Sequence, residues 1–131
     1  IPEEGVSGHY PLEHGKATSD SRLCRCLENQ LTKKRIPFRK GGIWTTDAVY
    51  RETPRKIRQY GERGALGVDM EITALMTVST FRGVALAPLL VISDELFDLK
   101  WRRGFSKSVF KTHCRLAGDA LIQAVTEVNN G

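Results

Sequence analysis

The sequence predicts a single α/β domain with helices packed on a central sheet. Short runs of β-forming residues alternate with helical patterns through the second half of the chain, which is typical of this fold class. The 131 residues are enough for one domain, and 40% hydrophobic with 27% charged residues is the composition of a globular protein. A chain of this length buries roughly two-thirds of the surface that its unfolded form exposes, so its core needs neither disulfides nor metal.

The first part of the chain predicts an irregular start followed by one helix. Glycines and prolines recur at short intervals in residues 1–18, which indicates irregular structure. Ser19 or Ser21 then provides a helix cap, and Pro37 ends the helix. The apolar side of this helix is a stripe of leucines four residues apart, namely Leu23, Leu27 and Leu31.

A strand and a short basic helix follow. Residues 41–47 are rich in β-forming residues and predict the strand. Thr53 and Pro54 supply a cap residue and a proline at the first helical position. They predict a helix that ends near residues 61–64.

The second half of the chain predicts two more strands and two more helices. Residues 66–70 form a short apolar strand that leads directly into a helix carrying Ile72, Leu75, Met76 and Phe81. Residues 84–93 are almost continuously apolar, which is typical of a strand covered on both faces, and Pro88 within them predicts a bulge or an edge. Ser106 then opens a long helix. Its apolar side contains Val109, Phe110, His113, Ala117, Ala120, Ala124 and Val128.

Charge and cysteine content narrow the classes of partner. The net charge of +5, from 20 basic and 15 acidic side chains, favours anionic partners such as phosphate or a phosphorylated metabolite. Nucleic-acid binding is not expected, because the sequence has neither a recognition motif nor interleaved surface aromatics. The apolar run 84–93 is about half as long as a bilayer span, so no membrane association is expected. Three cysteines are an odd number, which favours reduced thiols and a cytoplasmic protein.

Carboxylates follow each of the three predicted strands, in Asp47–Tyr50, Asp69–Glu71 and Ser93–Glu95. Ligands of open α/β sheets bind at the carboxyl ends of the strands. Carboxylates placed there accept hydrogen bonds from sugar hydroxyls or act as acids when their pKa is raised. The alternative is that they only complement the dipoles of helix starts. Three such segments together favour a binding site.

Several motifs resemble the nucleoside phosphorylases that cleave purine nucleosides and uridine. Val68–Glu71 begins a helix of small residues, and Val91–Asp94 follows later in the chain. Gly42–Thr53 is similar to the strand and turn of the family's base site, and Glu4–Tyr10 to a segment in the middle of longer members. The resemblance covers nearly the whole chain. It implies a phosphorylase-like three-layer fold with helices on a mixed central sheet.

The resemblance also implies that this fold is truncated. Family members run to about twice this length as one domain, and residues 1–131, as a single domain, resemble only their carboxyl-terminal half. The half that is missing carries the phosphate loop and the phosphate-binding arginines. Ile1 is not an initiator Met and no signal peptide follows it, which agrees with a trimmed piece of a longer protein. Taken alone, the chain is expected to hold half an active site and to be inactive.

In this family, phosphate attacks the anomeric carbon of a nucleoside and releases the free base and ribose 1-phosphate. By resemblance, Asp94 is the catalytic acid that protonates or hydrogen-bonds N7 of a purine, the alternative being a cap for a following turn. Glu71 matches the carboxylate that grips the ribose hydroxyls. Ser93 accompanies Asp94 in the substrate site.

Three more residues are expected to bind substrate. Met70 would pack its thioether against the sugar, or else fill the core. Asp69 would face either the substrate or the amino end of the helix that follows. Trp44 matches an aromatic side chain under the base, although a buried tryptophan is most often a core residue.

The resemblance favours a purine base. Ser93–Asp94 is present, and residues 51–55 lack the Gln with which the uridine-specific branch reads uracil, although Arg55 is in place. Uridine phosphorolysis stays open as an alternative. So does a non-catalytic nucleoside-binding module that lacks the phosphate site.

Partners and cofactors follow from the same resemblance. Nucleoside and phosphate are the expected substrates, and the full-length protein is expected to be a cytoplasmic homo-oligomer of nucleoside salvage. No cofactor and no metal are expected. Cys24 and Cys26, considered with His9 and His14, fit no usual zinc spacing.

Overall fold

The computed structural model describes residues 1–7, 17–96 and 98–129. Its strands are β1 (Pro2–Val6), β2 (Ala17–Thr18), β3 (Gly41–Thr45), β4 (Ala65–Asp69), β5 (Asp94–Glu95) and β6 (Arg102–Arg103). Its helices are α1 (Ser21–Lys33), α2 (Pro54–Glu62), α3 (Ile72–Arg82) and α4 (Ser108–Asn129), with a 3₁₀ turn at Val49–Arg51. The predicted α/β class is confirmed.

The central sheet is mixed and has the strand order β2-β1-β3-β4. β1, β3 and β4 run parallel, while β2 pairs with β1 antiparallel. In the pairing of β3 with β4, Trp44 lies opposite Val68 and Thr45 lies opposite Asp69. The carboxyl ends of β3 and β4 therefore meet at one edge, where the sequence predicts a site.

Local capping explains where the helices begin. Asp20, not Ser19 or Ser21, caps α1, because its carboxylate accepts a hydrogen bond from the Leu23 N–H at 2.8 Å. The Ser19 hydroxyl instead donates to the Pro2 carbonyl at 2.6 Å. Thr53 caps α2 as predicted.

Two apolar clusters form the core. In the first, α1 packs against α4 through Ile1, Cys24, Leu27, Leu31, Ala120 and Ala124. In the second, α3 packs on the sheet through Ala17, Ile43, Ile72 and Met76. The predicted leucine stripe of α1 is only partly in the core, since Leu23 is half-buried. The first turns of α4 are exposed, including Val109 and His113, so the apolar side predicted for this helix is buried only farther along.

The prediction of irregular structure over residues 1–18 is wrong for Pro2–Val6. This segment is strand β1, and it pairs in parallel with β3. Gly5, one of the residues that suggested irregularity, lets α3 approach the strand closely, since a Cβ built there would lie 2.5 Å from Thr73 Oγ1. Residues 8–16 lie outside the described part of the chain.

The predicted strand over residues 84–93 is also not a paired strand. Side chains near its middle pack on both sides: Ala87 and Leu89 on the first cluster, and Leu86 and Leu90 on the second. Its backbone lacks a neighbouring strand among the described residues. The Leu86 carbonyl accepts from the Asp20 N–H at 2.7 Å, and the other backbone groups of residues 85–92 make no hydrogen bond there. Residues 86–90 are therefore packed between the two clusters, whereas Val84 and Ile92 are exposed, and the segment forms no ladder with the described strands.

Candidate functional site

The first group of predicted site residues lies where β3 and β4 end. Thr45, which is buried, donates its hydroxyl to Asp69 Oδ1 at 2.6 Å. The same oxygen of Thr45 accepts from the Thr73 N–H at 3.0 Å and the Thr73 hydroxyl at 2.8 Å. The Thr46 N–H donates to the Asp69 carbonyl at 2.9 Å. This network joins the two strand ends to the start of α3.

Asp69 is the carboxylate that holds the start of α3. Its Oδ2 accepts from the N–H groups of Glu71 at 3.0 Å and Ile72 at 2.6 Å, while Oδ1 accepts from Thr45. Both oxygens are therefore used within the fold, as in a helix cap. Two roles were considered for Asp69. This geometry shows the contact with the amino end of the helix, and contact with substrate stays a prediction.

Met70 and Glu71 are open to solvent at the turn between β4 and α3. Met70 is 46% exposed, so it does not fill the core, a position taken instead by the fully buried Met76. The Glu71 carboxylate is exposed, and its one described hydrogen bond is a long one of 3.3 Å from the Met70 N–H. Both side chains can be reached by a ligand from solvent, as a sugar-binding pair requires.

Trp44 is a core residue, only 4% exposed. Its ring stacks on Tyr60 with centroids 4.4 Å apart and an angle of 18° between the planes, and the Lys56 ammonium lies 5.9 Å from its ring centroid. The aromatic side chain that this turn does expose is Tyr50, which is 91% exposed on the 3₁₀ turn after β3. Sequence reasoning did not single out Tyr50, although it stands within the motif Gly42–Thr53.

The second group is built around Asp94, at the start of the hairpin β5–β6. Asp94 Oδ1 accepts from the Ser93 hydroxyl at 2.5 Å, and Oδ2 accepts from the indole N–H of Trp101 at 2.6 Å. Among the described residues no helix begins at Asp94, since β5 turns back as β6. The alternative of a helix cap for Asp94 is therefore not what the structure shows.

The hairpin brings the indole N–H of Trp101 to the carboxylate of Asp94. Asp94 pairs with Arg103, and Glu95 pairs with Arg102, whose guanidinium also bonds the Asp98 carboxylate. The guanidinium carbon of Arg103 lies 4.3 Å from the ring centroid of Trp101. Trp101 therefore has contacts on both its ring face and its N–H. In the sequence, Trp101 stands beside two arginines and a glycine, a pattern that indicates only an exposed basic loop.

Glu52 shares the electrostatic environment of Asp94. Partial burial raises the pKa of the Glu52 carboxyl above its ordinary value, and the negative charge of Asp94 raises it further. A carboxyl group so placed holds its proton to higher pH. Sequence reasoning did not select Glu52, because this coupling is between residues far apart in the chain.

The structure thus forms two groups of predicted residues, and no hydrogen bond or ion pair joins them within the described ranges. Two surface hollows, near Thr18–Ser21 and near Tyr60–Arg63, are lined by neither Asp94 nor Glu71. Among the described residues, no three His, Cys, Asp or Glu side chains are grouped to hold a metal ion. His9 and His14 lie outside those residues. No helix in the described part is long and apolar enough to cross a membrane.

Comparison with known proteins places these residues in a family. Residues 1–128 match the sequence profile of a family described as the phosphorylase superfamily. DeoD-type purine nucleoside phosphorylases from Bacillus thuringiensis (strain Al Hakam) and Bacillus cereus (strain B4264) are each 33% identical to this chain over 93 residues. That stretch is 70% of this chain and 40% of each relative.

Solved structures share the fold. The purine nucleoside phosphorylase from Toxoplasma gondii, in complex with immucillin-H, gives a TM-score of 0.83 at 15% identity, over 98% of this chain and 55% of that chain. The AMP nucleosidase from Bacteroides thetaiotaomicron VPI-5482 gives 0.72 at 23% identity, over 100% of this chain and 54% of that chain. This chain therefore spans about half the length of the proteins whose fold it shares.

Proposed function

We propose that this chain, which belongs to the phosphorylase superfamily, forms the nucleoside-binding part of a purine nucleoside phosphorylase. The observation that carries the proposal is the set of hydrogen-bond partners of the Asp94 carboxylate. Its carboxylate accepts from the side chains of Ser93 and Trp101, and among the described residues it caps no helix. A carboxylate held only by side chains can exchange one of these partners for a substrate atom.

The proposed reaction makes and breaks one bond at the anomeric carbon. A phosphate oxygen forms a bond to that carbon while the bond between the carbon and the purine nitrogen breaks. The electron pair of the broken bond goes to the base, and Asp94 donates the proton that the base takes up at N7. The products are free purine and ribose 1-phosphate.

The sugar carries positive charge in the transition state and needs firm positioning. We assign this task to Glu71, whose exposed carboxylate can accept hydrogen bonds from ribose hydroxyls, and to Met70 beside it. Trp44 is in the core, so in this proposal it supports strand β3 from within the fold. The exposed Tyr50 is the candidate for contact with the base. The phosphate site is proposed to lie in the part of the fold that the relatives have and these residues do not match.

The proposal also includes the cellular location and the oligomeric state. The three cysteines are free thiols, which supports a cytoplasmic enzyme. Large apolar side chains stay exposed on α3 and α4, notably Phe81 and Ile122, which supports burial of these faces in a homo-oligomer.

Binding and turnover by the 131-residue chain test the proposal. We expect inosine and adenosine to bind weakly in calorimetric or NMR titrations, and uridine to bind less well. Asp94→Asn should weaken purine nucleoside binding, whereas Asp119→Asn, an exposed carboxylate on α4, should not. Preference for uridine would move the proposal to the uridine branch.

Phosphorolysis by the isolated chain is expected to be undetectable with any of these nucleosides. Without a phosphate site the nucleophile is neither held nor oriented, and this loss is worth many kcal/mol. Phosphate-dependent release of hypoxanthine from inosine by the pure chain would contradict this part of the proposal.

A further inference from the structure

The two oxygens of Asp94 have chemically different partners. Oδ2 accepts from the indole N–H of Trp101 at 2.6 Å, and an indole N–H can only donate. The carbonyl oxygen of a carboxyl group accepts hydrogen bonds better than its hydroxyl oxygen, so this contact favours Oδ2 as the oxygen without a proton. Oδ1 lies 2.5 Å from the Ser93 hydroxyl, which can donate to it or accept from it. A proton on Asp94 thus belongs on Oδ1.

Trp101 is held for this contact rather than for packing. Its side chain is 53% exposed, so its burial contributes less than that of a core tryptophan. The Arg103 guanidinium covers one ring face at 4.3 Å. The Gly104 N–H donates to the Ser93 carbonyl at 2.7 Å and closes the hairpin, and a Cβ at Gly104 would lie 2.6 Å from that carbonyl oxygen. The close approach of the two hairpin arms therefore requires this glycine.

We infer that Trp101 is a positioning residue for Asp94, fixing the carboxyl so that Oδ1 delivers the proton to the purine. The inference rests on the proposed function. The proton passes from Oδ1 to N7 as the bond between sugar and base breaks, and the carboxylate left behind accepts hydrogen bonds from Trp101 on Oδ2 and from Ser93 on Oδ1. Hydrogen bonds to an ionised group are about twice as strong as neutral ones, so both partners favour the state that follows proton transfer.

The first test is spectroscopic and needs no turnover. The chain contains two tryptophans, so its ¹⁵N–¹H correlation spectrum has two indole signals, and Trp101→Phe identifies the one from Trp101. Asp94→Ala should move the Trp101 signal towards the position of a solvent-exposed indole and leave the signal of buried Trp44 unchanged. A Trp101 signal that does not respond to Asp94→Ala would overturn the inference.

The second test uses ligand binding, with inosine compared with 7-deazainosine, which has carbon in place of N7. Trp101→Phe keeps an aromatic ring under Arg103 but removes the N–H. We expect it to weaken inosine binding by about tenfold, the usual effect of losing a hydrogen bond to a charged group. Binding of 7-deazainosine should change less than about twofold, because that analogue cannot use Asp94 at N7. Phe105→Leu, an exposed aromatic of the same loop, is the matched control and should change neither ligand.

The outcomes separate the inference from the function on which it rests. Equal weakening of both ligands by Trp101→Phe, or weakening of neither, would overturn the positioning role while leaving nucleoside binding in place. Failure of the wild-type chain to bind inosine would instead contradict the proposed function itself. Loss of inosine binding alone, together with the indole response, would support both.

Discussion

Asp69 and Asp94 each follow an extended apolar segment, and their carboxylates are used differently. Asp69 accepts two main-chain N–H groups of the α3 start and the hydroxyl of buried Thr45. Within the described part of the chain, Asp94 accepts from two side-chain donors, Ser93 and half-exposed Trp101. Main-chain donors cannot leave without unwinding the helix, whereas a side chain can rotate away. The comparison teaches that donor type separates the two carboxylates: Asp69 is tied to the main chain, and in the proposed function Asp94 can exchange a side-chain partner for substrate.

The largest expected effect of this difference concerns catalysis in the purine nucleoside phosphorylase that we propose these residues belong to. Asp94→Asn keeps the shape of the side chain but removes the proton donor, which should lower kcat/KM for inosine by about a hundred- to ten-thousand-fold. The loss should be small for 7-methylguanosine, whose base needs no proton to leave. Steady-state kinetics on both substrates measure the ratio.

Glu71→Ala is the contrasting variant in the same assay. Because it removes a contact to the sugar that both substrates share, it should lower kcat/KM for both by similar factors. An equal loss on the two substrates for Asp94→Asn would mean that Asp94 is not the acid.

The next effect concerns the stability of the isolated chain. Asp69→Ala leaves the first N–H groups of α3 and the buried Thr45 hydroxyl without their acceptor, which should lower the free energy of unfolding by about 2 kcal/mol. Asp94→Ala should lower it by less than about 1 kcal/mol, because no helix start depends on it. Urea unfolding followed by circular dichroism measures both, and the opposite ranking would refute the structural assignment of Asp69.

Two glycines extend the comparison to the backbone around each carboxylate. Gly5→Ala would place a Cβ 2.5 Å from Thr73 Oγ1, within the network that holds Asp69, and should destabilise the fold by about 1–3 kcal/mol.

Gly104→Ala would place a Cβ 2.6 Å from the Ser93 carbonyl oxygen and should disturb the hairpin locally. We expect its midpoint in urea to stay close to the wild-type value while the Trp101 indole signal shifts. A global loss of stability in Gly104→Ala would mean that the hairpin is part of the core.

The smallest effect is a pH dependence from Glu52. Its pKa is raised in the folded chain, by partial burial and then by the charge of Asp94, so the folded state binds its proton more tightly than the unfolded state does. Ionised Glu52 therefore destabilises the fold, a penalty that is absent below the ordinary pKa of about 4.3 and grows as pH rises through the raised pKa. Glu52→Gln should be more stable than wild type at pH 7, by less than about 1 kcal/mol because the group is partly exposed, and equally stable near pH 4.

Combining Glu52→Gln with Asp94→Asn tests the second cause of the raised Glu52 pKa, the negative charge of Asp94. The gain from Glu52→Gln should shrink in the Asp94→Asn background, since one of the two contributions to the raised pKa is gone. A gain that does not change would leave burial as the sole cause. Thermal unfolding at the two pH values measures all four chains.

Much of the fold follows from local signals in the sequence. Thr53 and Pro54 begin α2 as predicted, and the β-forming run before them is strand β3. These features depend on the residues within one turn or one strand, so the sequence alone specifies them. The resemblance to nucleoside phosphorylases was likewise readable from the motifs ending at Glu71 and Asp94, and the family match confirms it.

The errors share one physical cause, which is dependence on distant partners. Residues 2–6 form a strand because β3 lies beside them, whereas residues 85–92 have no strand beside them within the described ranges. A hydrogen bond between strands needs both members, and the sequence of one member does not reveal whether the other is present. The choice between the core and the base site, both considered for Trp44, likewise depends on a distant partner, since Tyr60 of α2 stacks on its ring.

The sequence by itself predicted the candidate site residues: a carboxylate after each predicted strand, with Ser93 beside Asp94. Only the tertiary structure decided what each carboxylate does, because that depends on which donors the fold brings to its oxygens. Thr45 lies 24 residues before Asp69, and Trp101 reaches Asp94 only because the chain turns back in a hairpin. Hydrogen bonds act over about 3 Å, so a role set by them is fixed only once the chain has folded.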